Sequence, residues 1–319
     1  MQVNFGKSAF GPDCDFETYA EQAQRLGIGK AMIVPTPTHI CQTADGEETS
    51  CLWLPGTEPA KRYYKEIRQE GMPVQTVDSP SQPYHEFNKH VLNFVREFNS
   101  SRQALRLYFA AKVHPFLDDP TCLEGLLDEN LVCIKLHGIA SHSYPAVFPD
   151  WLAEFLRHYN LPVLVHTDWF DGEPPEAATP HAKALHELYR QNNPATYIQW
   201  ALRERLRVCI NHGARLHPES IHVINNESDL MMGYGPDSLL DVEQDRLATP
   251  TEDYTATLFE YASPDKVMFS TYYRWNVNGR NQWDQLRWDS VDRIRGLLST
   301  ADQHKVLADN ARNFYRMSD

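Results

Sequence analysis

The chain has 319 residues, a net charge of −13 and a composition that is 42% hydrophobic and 23% charged, which predicts a globular protein with an ample core. It contains no dense Lys/Arg cluster, which argues against a nucleic-acid partner, and no apolar run of about 18 residues, which argues against a membrane span. The six cysteines form no C-x-x-C pair, and the amino terminus resembles no signal peptide. We therefore expect a reduced, cytoplasmic protein without disulfides.

Apolar runs of strand length alternate with amphipathic stretches of helical length. The pattern predicts strands at 2–6, 30–35, 105–115, 132–138, 161–166, 207–213, 229–235 and 266–273. It predicts helices at 16–27, 84–99, 121–130, 148–160, 180–205, 218–225, 251–263, 290–298 and 305–317. Eight strands, each followed by a helix, indicate an α/β fold, a single (β/α)8 TIM barrel over residues 1–319. A doubly wound open sheet is the alternative, although no G-x-G-x-x-G loop follows the first strand.

A segment rich in Pro, Thr and Ser, at about 36–84, separates the second strand from the third. It is longer than an ordinary connection in a compact domain, and segments of this kind are often lids. One piece of it, 58–71, has helical spacing. We predict a lid-like insertion on the catalytic face of the barrel.

Polar side chains stand at the ends of several predicted strands. In a barrel of this kind the active site lies where the strands end, so these residues are candidates for chemistry. Lys135 and His137 share one face of their strand, because side chains alternate along a strand. The other candidates are Lys112 and His114 on the third strand, His166 and Asp168 after LPVLV, and His212 and Arg215 after RVCIN.

Four motifs resemble the amidohydrolase superfamily, and within it the amidohydrolase-2 branch of metal-dependent hydrolases, decarboxylases, hydratases and lactonases. They are IKLH (134–137), LPVLVHT (161–167), NHGA (211–214) and LADNARNFY (307–315). The resemblance implies a (β/α)8 barrel of the amidohydrolase type. It also implies a divalent metal held by histidines and an aspartate at the strand ends.

The metal ligands of that branch are only partly present. The family's first strand ends in H-x-H-x-G, whereas this chain has Gln2 and Asn4 at the histidine positions, and Tyr272 replaces the aspartate of the last strand. His166 and His212 match the remaining two histidines and would be the metal ligands if a metal is bound. Two imidazoles are too few for a catalytic zinc, which usually has three protein ligands. We expect no cofactor; zinc or another divalent metal at low occupancy, completed by His137, His114 or Asp168, stays open.

A metal-free site is the alternative chemistry. His166 or His212 could act as a general base, and Tyr272 could donate a proton or stabilise an oxyanion. Lys135, Arg215 or Arg274 could hold a substrate carboxylate. The predicted catalytic residues are therefore His166, His212, Lys135 and Tyr272, and the predicted substrate-binding residues are His137, Asp168, Arg215, Arg274 and Asn4.

These residues predict an enzyme that acts on a small carbonyl or carboxylate compound. The first prediction is hydrolysis of a C–N or C–O bond, and the second is decarboxylase or lyase chemistry. A catalytically silent barrel that binds a ligand or partner, with His166 and His212 as buried relics, is the alternative from another class. The aromatic-rich segment 272–288 could wall a substrate pocket or form a contact in a homo-oligomer.

Overall fold

The computed structural model describes residues 2–8, 11–14, 23, 27–35, 39–42, 48–53, 62–65, 75–78, 82, 84–101, 104–141, 143–169, 180–235, 247–270 and 282–317. For 2–14, 39–78, 139–140, 180–185 and 282–288, the description within those ranges is of the backbone alone. Most of the predicted helix 16–27 therefore lies outside the described residues.

Eight strands form one parallel sheet in which each strand pairs with its neighbour in the chain order of the barrel. They are β1 (Gln2–Ser8), β3 (Lys30–Pro35), β8 (Arg106–Lys112), β9 (Leu131–His137), β10 (Val163–His166), β11 (Val208–Ile210), β12 (Leu230–Tyr234) and β13 (Val267–Phe269). A doubly wound sheet reverses its strand order once, and this sheet does not. The (β/α)8 class is confirmed. A short strand that was not predicted, β2 (Gly11–Cys14), pairs antiparallel with β1.

Helices follow the parallel strands. They are α1 (His85–Ser100), α2 (Pro120–Glu124), α3 (Gly138–Ser141), α4 (Asp150–Tyr159), α5 (Pro180–Gln191), α6 (Pro194–Glu204), α7 (Pro218–Asn226), α8 (Tyr254–Tyr261), α9 (Gln282–Leu297), α10 (Thr300–His304) and α11 (Asn310–Phe314). The predicted helix 121–130 is shorter in the structure, where Asp119 caps its start and Gly125 follows its end. No described helix is long and apolar enough to cross a membrane.

The two faces of the parallel sheet bury different sets of side chains. One face packs Ile33, Phe109 and Val165 into the large core beneath the helices. The other face, inside the barrel, carries Cys133 and Leu164. Phe314, Tyr315 and Met317 pack into the same cluster. Because side chains alternate, the residues that continue this inner face toward the strand ends are Lys112, Lys135, His137 and His166. The barrel interior is thus apolar at one end and polar at the other.

Two asparagines of α1 bind the backbone of β8. The Asn88 amide donates to the carbonyl oxygen of Lys112 at 2.7 Å and accepts from its N–H at 3.0 Å. Asn99 makes the same pair of bonds to Leu107, both at 2.9 Å. The two ends of the strand are therefore fixed to the helix, and the position of Lys112 is set by a buried amide.

The insertion contains an antiparallel sheet of β4 (His39–Gln42), β5 (Glu48–Trp53), β6 (Arg62–Lys65) and β7 (Gln75–Asp78). The predicted helix at 58–71 is wrong at Arg62–Lys65, which pairs with a strand on each side. Two adjacent tyrosines favour a strand, and pairing on both edges outweighs the helical spacing. Cα atoms of β5 come within 8 Å of α3, which follows His137 directly. The backbone of this sheet therefore lies beside the carboxyl end of the barrel.

Candidate active site

A chain of three side chains joins β10 to the segment after β11. Asp168 Oδ2 lies 3.2 Å from Nε2 of His166, and Nδ1 of His166 lies 3.0 Å from Nε2 of His212. The two imidazole rings meet edge to face, with their centroids 4.6 Å apart. The side chain of His166 is 21% exposed, whereas Asp168 is buried. The hydrogen-bonded chain therefore runs from a buried carboxylate through a partly exposed imidazole to a buried one.

Arg215 fixes the charge of Asp168. Its Nη2 donates to Asp168 Oδ1 at 3.0 Å, and its Nε and Nη2 donate to the carbonyl oxygen of Thr167 at 2.8 and 2.6 Å. Burial by itself would raise the pKa of Asp168, but Arg215 and the neighbouring histidines hold that pKa well below its usual range. Asp168 is therefore an ionised carboxylate, which can only accept hydrogen bonds.

The ionised carboxylate sets the tautomer of both imidazoles. Burial lowers the pKa of His166 to about 4, even though Asp168 opposes this shift, so the ring is neutral near neutral pH. Its Nε2 must then carry the hydrogen that Asp168 accepts, which leaves Nδ1 as an acceptor. Nε2 of His212 consequently donates to His166.

His137 and two lysines lie next to this chain. The rings of His137 and His166 are stacked, with centroids 4.0 Å apart and planes 8° from parallel. Burial, and then the neighbouring His166 and lysines, lower the pKa of His137 to well below its ordinary value. Lys112 and Lys135 are opposite each other in the register of β8 and β9, and both are buried.

The segment that carries His212 and Arg215 has an unusual backbone. Residues 212–216 all have positive φ angles, between 49° and 58°, and only Gly213 among them is a glycine. A left-handed conformation costs other L-residues about 1–2 kcal/mol each, so the surroundings must hold it. The Tyr254 hydroxyl donates to the carbonyl oxygen of His212 at 2.6 Å, and Thr249 donates to that of Leu216 at 2.8 Å. This strained segment carries two residues of the candidate site, and backbone strain of this kind is often found at functional sites.

Asn192 supports the other side of the site. Its carbonyl oxygen accepts from the N–H of Asp168 at 3.0 Å, and its side chain accepts from the Tyr197 hydroxyl at 2.7 Å. A Cβ atom at position 138 would lie 1.7 Å from Asn192 Oδ1. Only a glycine therefore fits between His137 and this asparagine.

The structure brings six of the predicted residues together: His166, His212, Asp168, Arg215, His137 and Lys135. The guanidinium of Arg215 binds Asp168 and the carbonyl oxygen of Thr167, and its predicted contact with a substrate carboxylate stays a prediction. Tyr272 and Arg274 lie outside the described residues. Asn4 is described in its backbone only, where it pairs with Val34. Sequence reasoning missed the roles of Tyr84 and Asn88, for which the strand-end criterion gives no signal.

The described residues contain only part of the ligand set that the sequence resemblance implies. Nε2 of His166 faces Asp168, and Nδ1 of His166 faces Nε2 of His212. Gln2 and Asn4 supply neutral amides, which are poor zinc ligands. Within the part of the chain that the structure describes, no group of three His, Cys, Asp or Glu side chains could hold a metal ion.

The fold and this site define a (β/α)8 protein with a cluster of histidines, lysines and one carboxylate at the carboxyl ends of its strands. The chain belongs to the amidohydrolase family, whose model matches residues 123–317. This membership supports a function of the hydrolase type. None of the curated proteins compared with the chain matches it.

Solved structures with this fold are similar over nearly the whole chain. One, from Pseudomonas putida and named as a 2-pyrone-4,6-dicarboxylic acid hydrolase, has a TM-score of 0.56 at 10% identity and covers 98% of this chain and 97% of its own. An amidohydrolase from Burkholderia multivorans has a TM-score of 0.53 at 9% identity, over 100% and 98% of the two chains. A dihydroorotase from Campylobacter jejuni has a TM-score of 0.51 at 15% identity, over 100% and 83%. At these identities the likeness concerns the fold alone.

Proposed function

We propose that the protein hydrolyses small carbonyl compounds that carry a carboxylate, with the chain of Asp168, His166 and His212 as a metal-independent general base. The hydrogen-bonded geometry of this chain is the observation that carries the proposal. A neutral imidazole oriented by a carboxylate is the arrangement that abstracts protons from weak acids such as water.

The proton balance of the step follows from the tautomers. Nδ1 of His212 accepts a proton from water as the oxygen attacks the substrate carbonyl carbon. Nε2 of His212 passes its own hydrogen to Nδ1 of His166, and the resulting imidazolium forms an ion pair with Asp168. The same proton then returns to the leaving oxygen or nitrogen. His212 is buried, so the attacking water must be one bound inside the barrel mouth.

The remaining predicted residues would act on the substrate rather than on the proton. Lys135 could attract a substrate carboxylate from the barrel interior. Tyr272 remains the candidate donor toward the leaving group or the oxyanion, and Arg274 and Asn4 remain candidate contacts. The sheet of the insertion, which passes near α3, would cover the bound substrate.

A hydrolysis screen on protein purified with a chelator tests the proposal. The substrates would be small lactones, esters and amides that carry a carboxylate, with 2-pyrone-4,6-dicarboxylic acid among them. We expect turnover of at least one, and a loss of about 10²–10⁴ in kcat for His212→Gln. His158→Gln, an exposed histidine on α4, serves as the matched control and should keep full activity. Turnover that appears only after zinc is added, or that His212→Gln retains, would contradict the proposal.

A further inference from the structure

Two lysines are buried side by side in the barrel interior, and the hydrolytic step needs only one of them. Lys112 ends β8 and is 1% exposed, and Lys135 lies in β9 and is 5% exposed. The two residues are register partners in the parallel pair, so they share one face of the sheet. That face also carries His137, two residues beyond Lys135.

Physical chemistry disfavours two ammonium ions in this position. Removing an ammonium group from water costs several kcal/mol, and a second positive charge beside it adds to that cost. The ring of Tyr84, whose centroid lies 4.5 Å from Nζ of Lys112, favours the charged form, but such a contact contributes only about 0.5–2 kcal/mol. Burial, followed by the charge of Lys135, therefore lowers the pKa of Lys112 to well below its ordinary value.

The surroundings hold this amine in one place. Asn88 binds both the N–H and the carbonyl oxygen of Lys112, and the Tyr84 ring packs over its amine. Burial raises the pKa of Tyr84, so this neighbour is a neutral phenol. An amine with a lowered pKa, on a fixed strand end in a protected barrel and beside a second lysine, has the properties of a lysine nucleophile.

We propose that Lys112 is an amine nucleophile that forms an imine with the aldehyde or ketone carbonyl of a small oxo acid, with Lys135 attracting the carboxylate. This reaction goes beyond the proposed hydrolysis and does not depend on it, because the nucleophile is the lysine nitrogen and not water. It assigns to the same barrel imine formation and proton exchange at the carbon next to the carbonyl group.

The bonds balance as follows. The nitrogen lone pair of Lys112 attacks the carbonyl carbon, and one N–H proton moves to the oxygen to give a neutral carbinolamine. The nitrogen lone pair then forms the C=N bond as hydroxide leaves, which takes up a proton from solvent and departs as water. The resulting N-protonated iminium ion acidifies the adjacent C–H bond. Neutral His137 accepts that proton, the C–H electron pair becomes a C=C bond, and the former C=N π pair returns to nitrogen. Reprotonation at carbon and hydrolysis regenerate Lys112 and the oxo acid.

Reductive trapping with pyruvate tests the proposal on the full chain. Incubation with pyruvate and cyanoborohydride, followed by peptide mass mapping, should place one reduced pyruvate adduct per chain on Lys112. The exposed Lys89 is the internal control and should show only background modification. Lys135→Met should slow trapping at neutral pH by about tenfold or more, because loss of the neighbouring charge raises the pKa of Lys112. Lys112→Met should abolish the specific adduct.

The peptide map of the unaltered chain shows which lysine carries the adduct, so it tests the proposal even if Lys112→Met fails to fold. Adducts spread over exposed lysines in proportion to their accessibility would overturn the proposal. Binding of lactate, which has a carboxylate but no ketone, together with no pyruvate adduct on Lys112 would also overturn it, since the lysine pair would then be an anion site only. Neither result would bear on hydrolysis by His212, which is measured separately on lactones and amides.

Discussion

The surroundings of His166 determine what its ring can do. One nitrogen faces a carboxylate and the other faces a second imidazole, so the tautomer, the orientation and the direction of proton transfer are all fixed by neighbours. Asp168 can play this part only while it is charged, and Arg215 is what keeps it charged. Arg215 is itself buried, and its donors are directed at Asp168 and the Thr167 carbonyl.

Arg215→Met should destabilise the protein strongly. Removing one partner of a buried ion pair leaves the other charge uncompensated, which typically costs about 3–5 kcal/mol. Urea unfolding measures the change. Arg203→Met is the matched control, because Arg203 pairs with Glu204 on the surface, where such pairs contribute about 0–1 kcal/mol. Equal, small losses in both variants would show that the Arg215 pair is not the support described here.

The sequence located the histidines but not their arrangement. His137, His166 and His212 could be predicted because each follows an apolar strand, and strand ends converge in a barrel. The contact between Arg215 and Asp168 could not be predicted, because residues 212–216 adopt a left-handed backbone that no local sequence pattern indicates. Tyr84 directly precedes α1 and Asn88 lies within it, so a search of strand ends does not reach them. Tyr272 and Arg274 stay predictions, since they lie outside the described residues.

Helices and strands with a strong period of apolar residues were predicted well. Strands that depend on hydrogen bonds to neighbouring strands of the insertion were not. The helix at 84–99 and the strand at 30–35 match α1 and β3 closely, because their apolar spacing also decides what they bury. The helix at 58–71 failed at β6, where hydrogen bonds to two neighbouring strands replace local preference. The contact between α1 and β8 through Asn88 and Asn99 is likewise a tertiary feature.

Asn88→Leu tests the attachment of α1 to β8. The substitution keeps a similar volume but removes both bonds to Lys112, leaving a buried N–H and a buried carbonyl oxygen unsatisfied. Each such group costs about 1–3 kcal/mol, so the free energy of unfolding should fall by roughly 2–6 kcal/mol. Asn93→Leu, on the exposed side of the same helix, should change it by about 0.5 kcal/mol or less. Similar effects of the two substitutions would refute a structural role for the buried amide.

The turn after β8 should make stability depend on pH. Burial raises the pKa of Asp118 from 3.8 to about 7, although the N–H of His114 lowers it in part. Because the folded state binds this proton more tightly, Asp118 should destabilise the fold progressively as pH rises from about 4 to about 7, by about 1.4 kcal/mol per pH unit at most. The buried His137 and His166 act in the opposite direction below about pH 6.5, so the contribution must be isolated by difference.

The variant Asp118→Asn isolates the contribution of Asp118 to the pH dependence of stability. The free energy of unfolding of this variant, relative to the unaltered protein, should rise between about pH 4 and about pH 7 and then level off. Denaturant unfolding over that range provides the comparison, and the histidines cancel because both proteins contain them. A difference that does not change with pH would mean that Asp118 is ionised in the fold at all these pH values.

At the scale of the whole molecule, the apolar core that stabilises the barrel and the polar residues of the candidate site lie in different places. The large core lies between sheet and helices, and the barrel interior changes from cysteine and leucine to lysine and histidine along the strands. In the backbone, positions 2 and 4 pair with Met32 and Val34, and the side chains of these two partners line the same interior.

Restoring the family's residues should therefore restore some metal affinity. The triple variant Gln2→His, Asn4→His, Tyr272→Asp, together with His166 and His212, supplies enough nitrogen and oxygen donors for one divalent ion. Affinity should stay modest, because His166 must give up its bond to His212 and because lost supporting contacts typically cost about 10–100-fold. A competition titration should still show tighter zinc binding than in the parent. Identical affinities would mean that positions 2, 4 and 272 do not converge.

The central proposal is that both nitrogens of His166 make hydrogen bonds, to Asp168 and to His212, and that this member of the amidohydrolase family uses them for acid–base chemistry without a metal. Long-range ¹H–¹⁵N correlation spectra of protein with ¹⁵N-labelled histidine report the state of each ring nitrogen, and His166→Gln assigns the signals. We predict a protonated Nε2 and an unprotonated, hydrogen-bonded Nδ1 for His166, with shifts that an equimolar amount of zinc leaves unchanged. A zinc-dependent shift of the His166 and His212 nitrogens, with stoichiometric uptake of the metal, would contradict the account.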